Sequence, residues 1–349
     1  MVLSYWLLQA PYTATWRLLK YMRRTIPAVF YCADLHDWVI FEPVQKHLRE
    51  LPVVTSNAEV VRVMRSQGKK ALRMPVFPDT VIMCRHACHK FPARAITRIG
   101  MRHGPYHFKR MTSAGNYNLF DLYLMTSAAD VRSAETIGVT SATAVGYPKL
   151  DRAFNGALGE RELAELRQRC HLDQRKKTLL FTATWPKSGM SAFSRWHDRL
   201  SELTTTFNVL VTLHPWIEER YRQVVASTPG VFLVEDDDAV PYIVLADVCI
   251  GDTSSILAEC CALDKPLITW RTERAKRTLD EIEALLERIS LRVKSFEQML
   301  TAIDDCLANP DLKRRERQEA SRLMFDELDG QAGKRAAEEI VRLVPELRP

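Results

Sequence analysis

Gly251-Asp252-Thr253-Ser254-Ser255-Ile256-Leu257-Ala258-Glu259 decides how this 349-residue chain folds. The run before it, Ala246-Asp247-Val248-Cys249-Ile250, is short, apolar and β-branched, which is the composition of a buried strand. Gly251 to Ser255 then reads as a turn into a helix, because three hydroxyls and one carboxylate at a helix start can cap its orphan N–H groups. The helix is expected over residues 256–263 and stops at Asp264-Lys265-Pro266, where Pro266-Leu267-Ile268-Thr269 opens another strand. Strand, helix and strand in that order form a unit of parallel sheet.

Such a unit can carry chemistry. Small hydroxyl residues between a strand end and a helix start present N–H groups and the positive end of a helix dipole, which suits a phosphate. Thr253, Ser254 and Ser255 are the candidate phosphate-binding residues, with Asp252 in support. Glu259, one turn further on, is placed to accept from a ribose hydroxyl, by analogy with dinucleotide folds. The competing reading makes the hydroxyls ordinary caps and Glu259 a solvated helix residue.

The alternation continues on both sides. Residues 27–33, 52–55, 80–84, 96–101, 120–126 and 141–145 read as strands, with helices over 36–51, 58–66 and 127–137. A second series restarts with strands at 177–184, 208–213 and 231–234, a helix at 192–205 and a short helix at 240–245. Helices follow over 281–288, 296–307, 312–328 and 334–343. The fold class expected is α/β: two Rossmann-like domains with parallel sheets facing a central cleft, the GT-B-like plan. The domains are expected at 25–155 and 176–328, joined by a connection at 156–175, with a segment at 1–24 and a C-terminal helix at 329–349.

Composition narrows the class. Apolar residues at 46% and charged residues at 26% are those of a globular protein. A net charge of +6 fits an anionic substrate or an anionic surface. No helix-turn-helix, zinc-finger or aromatic-interleaved basic motif supports nucleic-acid binding, so no nucleic-acid partner is expected. Eight scattered cysteines point to buried thiols in a reducing, cytoplasmic setting. Cys84-Arg85-His86-Ala87-Cys88-His89 lacks a second ligand pair at zinc spacing, so no metal and no cofactor is expected. No apolar run reaches 18 residues. Tyr5-Trp6-Leu7-Leu8, Trp16, Leu18-Leu19 and Tyr21, followed by Arg23 and Arg24, suit peripheral contact with an anionic membrane face. The other reading is a first helix docked on the core.

Two histidines stand at strand ends, where ligands bind in open α/β sheets. His103 precedes Gly104-Pro105 among Arg98, Arg102, Lys109 and Arg110, cations expected to keep its ring neutral as a general base. His214 ends the strand at 208–213, before Pro215. Lys187 and Arg271, in loops after strands, are candidate phosphate contacts, as are Arg274, Lys276 and Arg277.

The motifs come in a telling order: His103-Gly104, Gly146-Tyr147-Pro148-Lys149-Leu150-Asp151, Leu180-Phe181-Thr182-Ala183-Thr184-Trp185, Leu213-His214-Pro215, Asp252-Thr253-Ser254-Ser255, Asp264-Lys265-Pro266 and Asp329-Gly330. This order, over residues 96–343, resembles the CDP-glycerol glycerophosphotransferase family, which includes teichoic-acid polymerases. The resemblance implies a transferase that moves a polyol phosphate from a CDP-activated donor to a hydroxyl of a lipid-linked or polymeric glycan, releasing CMP, in cell-envelope or capsule polymer synthesis. It implies His103 as the catalytic base, His214 at the donor pyrophosphate, and Thr253 to Ser255 near the donor phosphates. It implies peripheral attachment to the inner membrane face. Arg102 replaces the family's usual Trp and Thr253 its usual Tyr. The alternatives are an inverting GT-B glycosyltransferase using a nucleotide-sugar donor, a nucleotide-sugar 2-epimerase, and a non-catalytic binder of anionic polymers.

Overall fold

A computed structural model describes residues 3–105, 111, 113–273 and 279–349, with side chains from Gln9 on. The chain divides into two compact units. The first is built from Met1–Gly104, Met111–Asp151 and Asp329–Pro349; the second is built on Arg152–Leu328.

The first unit holds seven strands: β1 (Ile26–Tyr31), β2 (Val53–Thr55), β3 (Ala71–Arg73), β4 (Pro78–Met83), β5 (Thr97–Met101), β6 (Leu122–Met125) and β7 (Ala142–Ala144). They pair in the order β3-β2-β1-β4-β5-β6-β7, every neighbour parallel, with Phe30 opposite Ile82 and Ile82 opposite Ile99. The second unit holds β8 (Thr178–Ala183), β9 (Asn208–Leu213), β10 (Val231–Val234), β11 (Val248–Gly251), β12 (Leu267–Trp270) and β13 (Leu291–Val293), in the order β10-β9-β8-β11-β12-β13, again all parallel. Both orders are the doubly wound one, reversing once beside the first strand of the unit. All six residues of β8 are buried, as expected of a strand covered on both faces.

The domain boundaries differ from expectation. Residues 156–175 are not a connection: Glu160–Arg169 is a helix of the second unit, burying Leu163 and Leu166, and the units part between Asp151 and Arg152. The C-terminal helix Ala332–Leu343 belongs to the first unit. Asp151 caps its start, accepting from the N–H groups of Ala332 at 3.0 Å and Gly333 at 2.7 Å. Gly333 lies so close to Pro43 that a Cβ there would meet its backbone at 2.8 Å. Asp151, which closes the motif at 146–151, therefore does structural work inside the first unit.

The first helix, Leu3–Tyr21, is docked on the first unit. Trp16 is buried and donates from Nε1 to the Pro78 carbonyl at 2.7 Å; Tyr12 donates to the Val76 carbonyl at 2.7 Å. Its other face leaves Leu18, Tyr21 and Met22 exposed. No helix among the described residues is long and apolar enough to cross a membrane.

The helix expected over 192–205 is absent. Phe193–Arg195 and Leu200–Glu202 are single 3-10 turns, with Phe193, Trp196, Leu200 and Leu203 buried against β8 and β9. The apolar spacing there suits either helix type, and capture of the Ala192 N–H by Asp252 fixes the entry as a loop.

Candidate functional site

In the second unit the switch point lies between β8 and β11, and the sequence has put Thr184 and Asp252 at the two strand ends. Asp252 is fully buried. Its carboxylate accepts from the backbone N–H groups of Thr184 at 3.0 Å, Ala192 at 2.9 Å and Ser254 at 3.2 Å, and of Thr253. Burial pushes its pKa up, against the N–H donors that pull it down. Asp252 is therefore an internal post that ties three loops together. Gly251 lets β8 come close: a Cβ there would meet Thr182 Cγ2 at 2.7 Å.

Around this post the hydroxyls gather. Thr182 Oγ1 donates to Ser254 Oγ at 3.1 Å, and Thr184 Oγ1 lies 3.2 Å from Thr253 Oγ1. The helix that follows, Ile256–Ala262, has Ser255 as its N-cap, without a side-chain capping bond. The capping role expected for these hydroxyls is thus not seen at Ser255. Glu259 is buried, which overturns the reading of it as a solvated residue.

On the other side of β8, His214 follows the last residue of β9. The Trp216 N–H donates to His214 Nδ1 at 3.1 Å. An accepting Nδ1 carries no proton, so the neutral ring bears its proton on Nε2 and is a donor there. Trp185, Trp216 and His214 cluster, with ring centroids 5.4 Å apart for the tryptophans and 5.3 Å apart for His214 and Trp216.

The cations expected at phosphate are held by carboxylates. Lys187 pairs with Glu218 at 3.2 Å and holds that carboxyl below its ordinary pKa. Arg271 makes a two-pronged pair with Glu287, one arm at 2.8 Å. Arg274, Lys276 and Arg277 lie outside the described residues.

In the first unit His103 stands at the end of β5, beside the end of β4. Its Nδ1 lies 3.2 Å from the Cys84 carbonyl. A carbonyl only accepts, so Nδ1 carries the proton and Nε2 keeps the lone pair of a base. Gly104 is buried behind it, and Tyr147 donates to the His103 carbonyl at 3.2 Å.

The cations named around His103 have other work. Arg102 is buried and clamps Asp130 with two bonds of 2.8 and 2.9 Å, while also donating to Tyr117 at 3.2 Å. Burial opposes its charge, yet Asp130 leaves its pKa raised; on Asp130 burial outweighs the guanidinium, so that pKa is raised too. Arg98 donates to the Phe91 and Ala93 carbonyls. Lys109 and Arg110 lie outside the described residues. Beside His103, at the switch point between β1 and β4, Arg85 donates from Nε to buried Asp37 at 3.0 Å and pairs with Asp34. Cys84 and Cys88 are buried free thiols, and no three metal-ligating side chains cluster among the described residues.

Sequence reasoning did not find Trp216, nor the tie from Asp252 to Ala192. The first carries one signal, an aromatic two residues beyond a strand-end His. The second joins positions 60 apart and has no local signal.

These features can be set beside known proteins. The structure resembles the wall teichoic acid polymerase TagF soaked with CDPG at a TM-score of 0.70 and 14% identity, over 97% of this chain and 98% of that one. It resembles the S. aureus MnaA–UDP co-structure at 0.65 and 14%, over 93% and 99%. It also resembles the UDP-GlcNAc 2-epimerase from Neisseria meningitidis bound to UDP-GlcNAc at 0.58 and 15%, over 91% and 100%. At these identities the likeness establishes the GT-B-like fold of two parallel sheets. No curated protein matches the sequence significantly. The family model described as CDP-glycerol:poly(glycerophosphate) glycerophosphotransferase matches residues 96–344, and the chain belongs to that family of transferases.

Proposed function

We propose that the protein transfers a polyol phosphate, glycerol phosphate in the first instance, from a CDP-activated donor to a hydroxyl of a lipid-linked or polymeric glycan. The observation that carries this reading is the opposite hydrogen bonding of two imidazoles: the His103 Nδ1 meets the Cys84 carbonyl, which puts the proton at Nδ1 and makes Nε2 the basic nitrogen, whereas the His214 Nδ1 accepts from the Trp216 N–H, which makes Nε2 the donor. His103 takes the proton of the acceptor hydroxyl as its oxygen attacks the distal phosphorus of the donor. The bond from that phosphorus to the bridging oxygen breaks, and its electron pair leaves on CMP. His214 and the hydroxyls of Thr253, Ser254 and Ser255 donate to the pyrophosphate and to the charge developing on the leaving oxygen. Glu259, following Ser255 by one helical turn, is assigned to the ribose.

Family membership supports phosphotransfer over the sugar chemistry of the epimerases that share the fold. Exposed Leu18, Tyr21 and Met22, with exposed Arg17, Arg23 and Arg24, support peripheral binding of the first helix to an anionic membrane face, where cell-envelope or capsule acceptors reside. The test is product identity. Incubation with CDP-glycerol and a glycerol phosphate-primed acceptor is expected to release CMP in step with acceptor elongation. Release of UDP from a nucleotide sugar, with no CMP from CDP-glycerol, would replace this reading with glycosyl transfer.

A further inference from the structure

Trp216 has no role in the chemistry above beyond its backbone N–H. It is 65% exposed, the most exposed large apolar residue among the described residues of the second unit. A fixed backbone holds it there. His214-Pro215-Trp216-Ile217 is a tight turn, closed by the Ile217 N–H on the His214 carbonyl at 2.9 Å, with Pro215 at its second position. Ile217 is buried and pins the far end.

The ring stands beside two others without stacking on either. It meets Trp185 at 87° and His214 at 66°. An exposed indole on a pinned turn, at the carboxyl ends of β8 and β9, is an aromatic platform. A flat heterocycle satisfies such a platform far better than a polyol does, because stacking needs a π-face. His214, 5.3 Å away, is the pyrophosphate donor in the function proposed above, and a base joined to that pyrophosphate through its ribose extends to a neighbouring ring.

We infer that Trp216 is the stacking platform for the pyrimidine ring of the donor nucleotide, with Trp185 as its side wall. The inference rests on the proposed donor site in the second unit. It makes Trp216 a specificity residue that contacts the donor's base and leaves the transferred group alone.

The turn separates the ring from the rest of the site, since Trp216→Ala keeps the backbone N–H that fixes His214. The experiment is calorimetric binding of CMP and of inorganic pyrophosphate to the full chain and to Trp216→Ala and Trp216→Phe. Trp216→Ala is expected to weaken CMP by roughly 5- to 150-fold, the span of one base–aromatic stack. Pyrophosphate affinity is expected to stay within twofold, and Trp216→Phe to keep most of the CMP affinity. Equal CMP binding by wild type and Trp216→Ala overturns the inference while leaving the donor site standing. Equal losses for CMP and pyrophosphate overturn it as well, assigning the ring to the support of His214. A wild-type protein that binds pyrophosphate but no CMP or other cytidine nucleotide overturns the donor reading itself.

Discussion

The two units share one topology and load it differently. Each sheet reverses order beside its first strand, at β1/β4 and at β8/β11. At the first, an arginine bridges two carboxylates, and beyond the neighbouring strand β5 an imidazole is held with its proton at Nδ1. At the second, a buried carboxylate gathers backbone N–H groups and hydroxyls surround it, while beyond the neighbouring strand β9 an imidazole accepts at Nδ1. The same topology thus carries two different sets of side chains, and a single hydrogen bond sets which ring nitrogen of each histidine bears the proton.

The largest effect should come from breaking the first unit's histidine. His103→Ala is expected to cut turnover by about 10²–10⁴, the range of a general base, with donor affinity unchanged. Initial rates alongside CMP binding check this, and a loss of both together would deny His103 that role. On the second unit, His214→Ala is expected to lower turnover by about 10²–10³ and to weaken pyrophosphate binding as well, since it removes a donor to the leaving phosphate. An affinity left intact would mean that His214 does not touch the donor.

The posts behind the sites should show in stability. Asp252→Ala orphans four backbone N–H groups and is expected to cost about 3–5 kcal/mol, read as a lower denaturant midpoint. Arg102→Leu strands the Asp130 carboxylate and should cost a similar 3–5 kcal/mol, whereas Arg102→Leu combined with Asp130→Leu should recover most of it and keep turnover. Turnover lost in the double variant, with stability recovered, would return Arg102 to the substrate. The smallest effect expected is at Lys187, whose exposed pair with Glu218 is screened by solvent; Lys187→Ala should leave donor affinity within twofold.

Much of this was legible in the chain because it is local. Val248, Ile250 and Gly251 announce the strand and its tight exit, and Leu213-His214-Pro215 announces a strand end with a titratable group. The rest depends on partners far along the chain. Nothing near Arg102 reveals Asp130, 28 positions on, so the residue beside His103 reads as exposed to a ligand when its guanidinium is buried on a carboxylate. The apolar spacing of Phe193, Trp196, Leu200 and Leu203 reads as a helix because the carboxylate that stops it, Asp252, arrives from another strand. In the first helix the aromatics are visible in sequence while the acceptors that dock Tyr12 and Trp16, the Val76 and Pro78 carbonyls, are not, so which of its residues face the core is not legible.

One measurement bears most directly on the central claim. Phosphorus NMR of the protein with CDP-glycerol and a glycerol phosphate-primed acceptor follows every phosphorus at once. The account predicts that the pyrophosphate signals decline as CMP and a new phosphodiester grow in equal amount, and that His103→Ala slows both gains by about 10²–10⁴ while still binding CMP. An unchanged pyrophosphate, or CMP formed without a phosphodiester when acceptor is saturating, would contradict it.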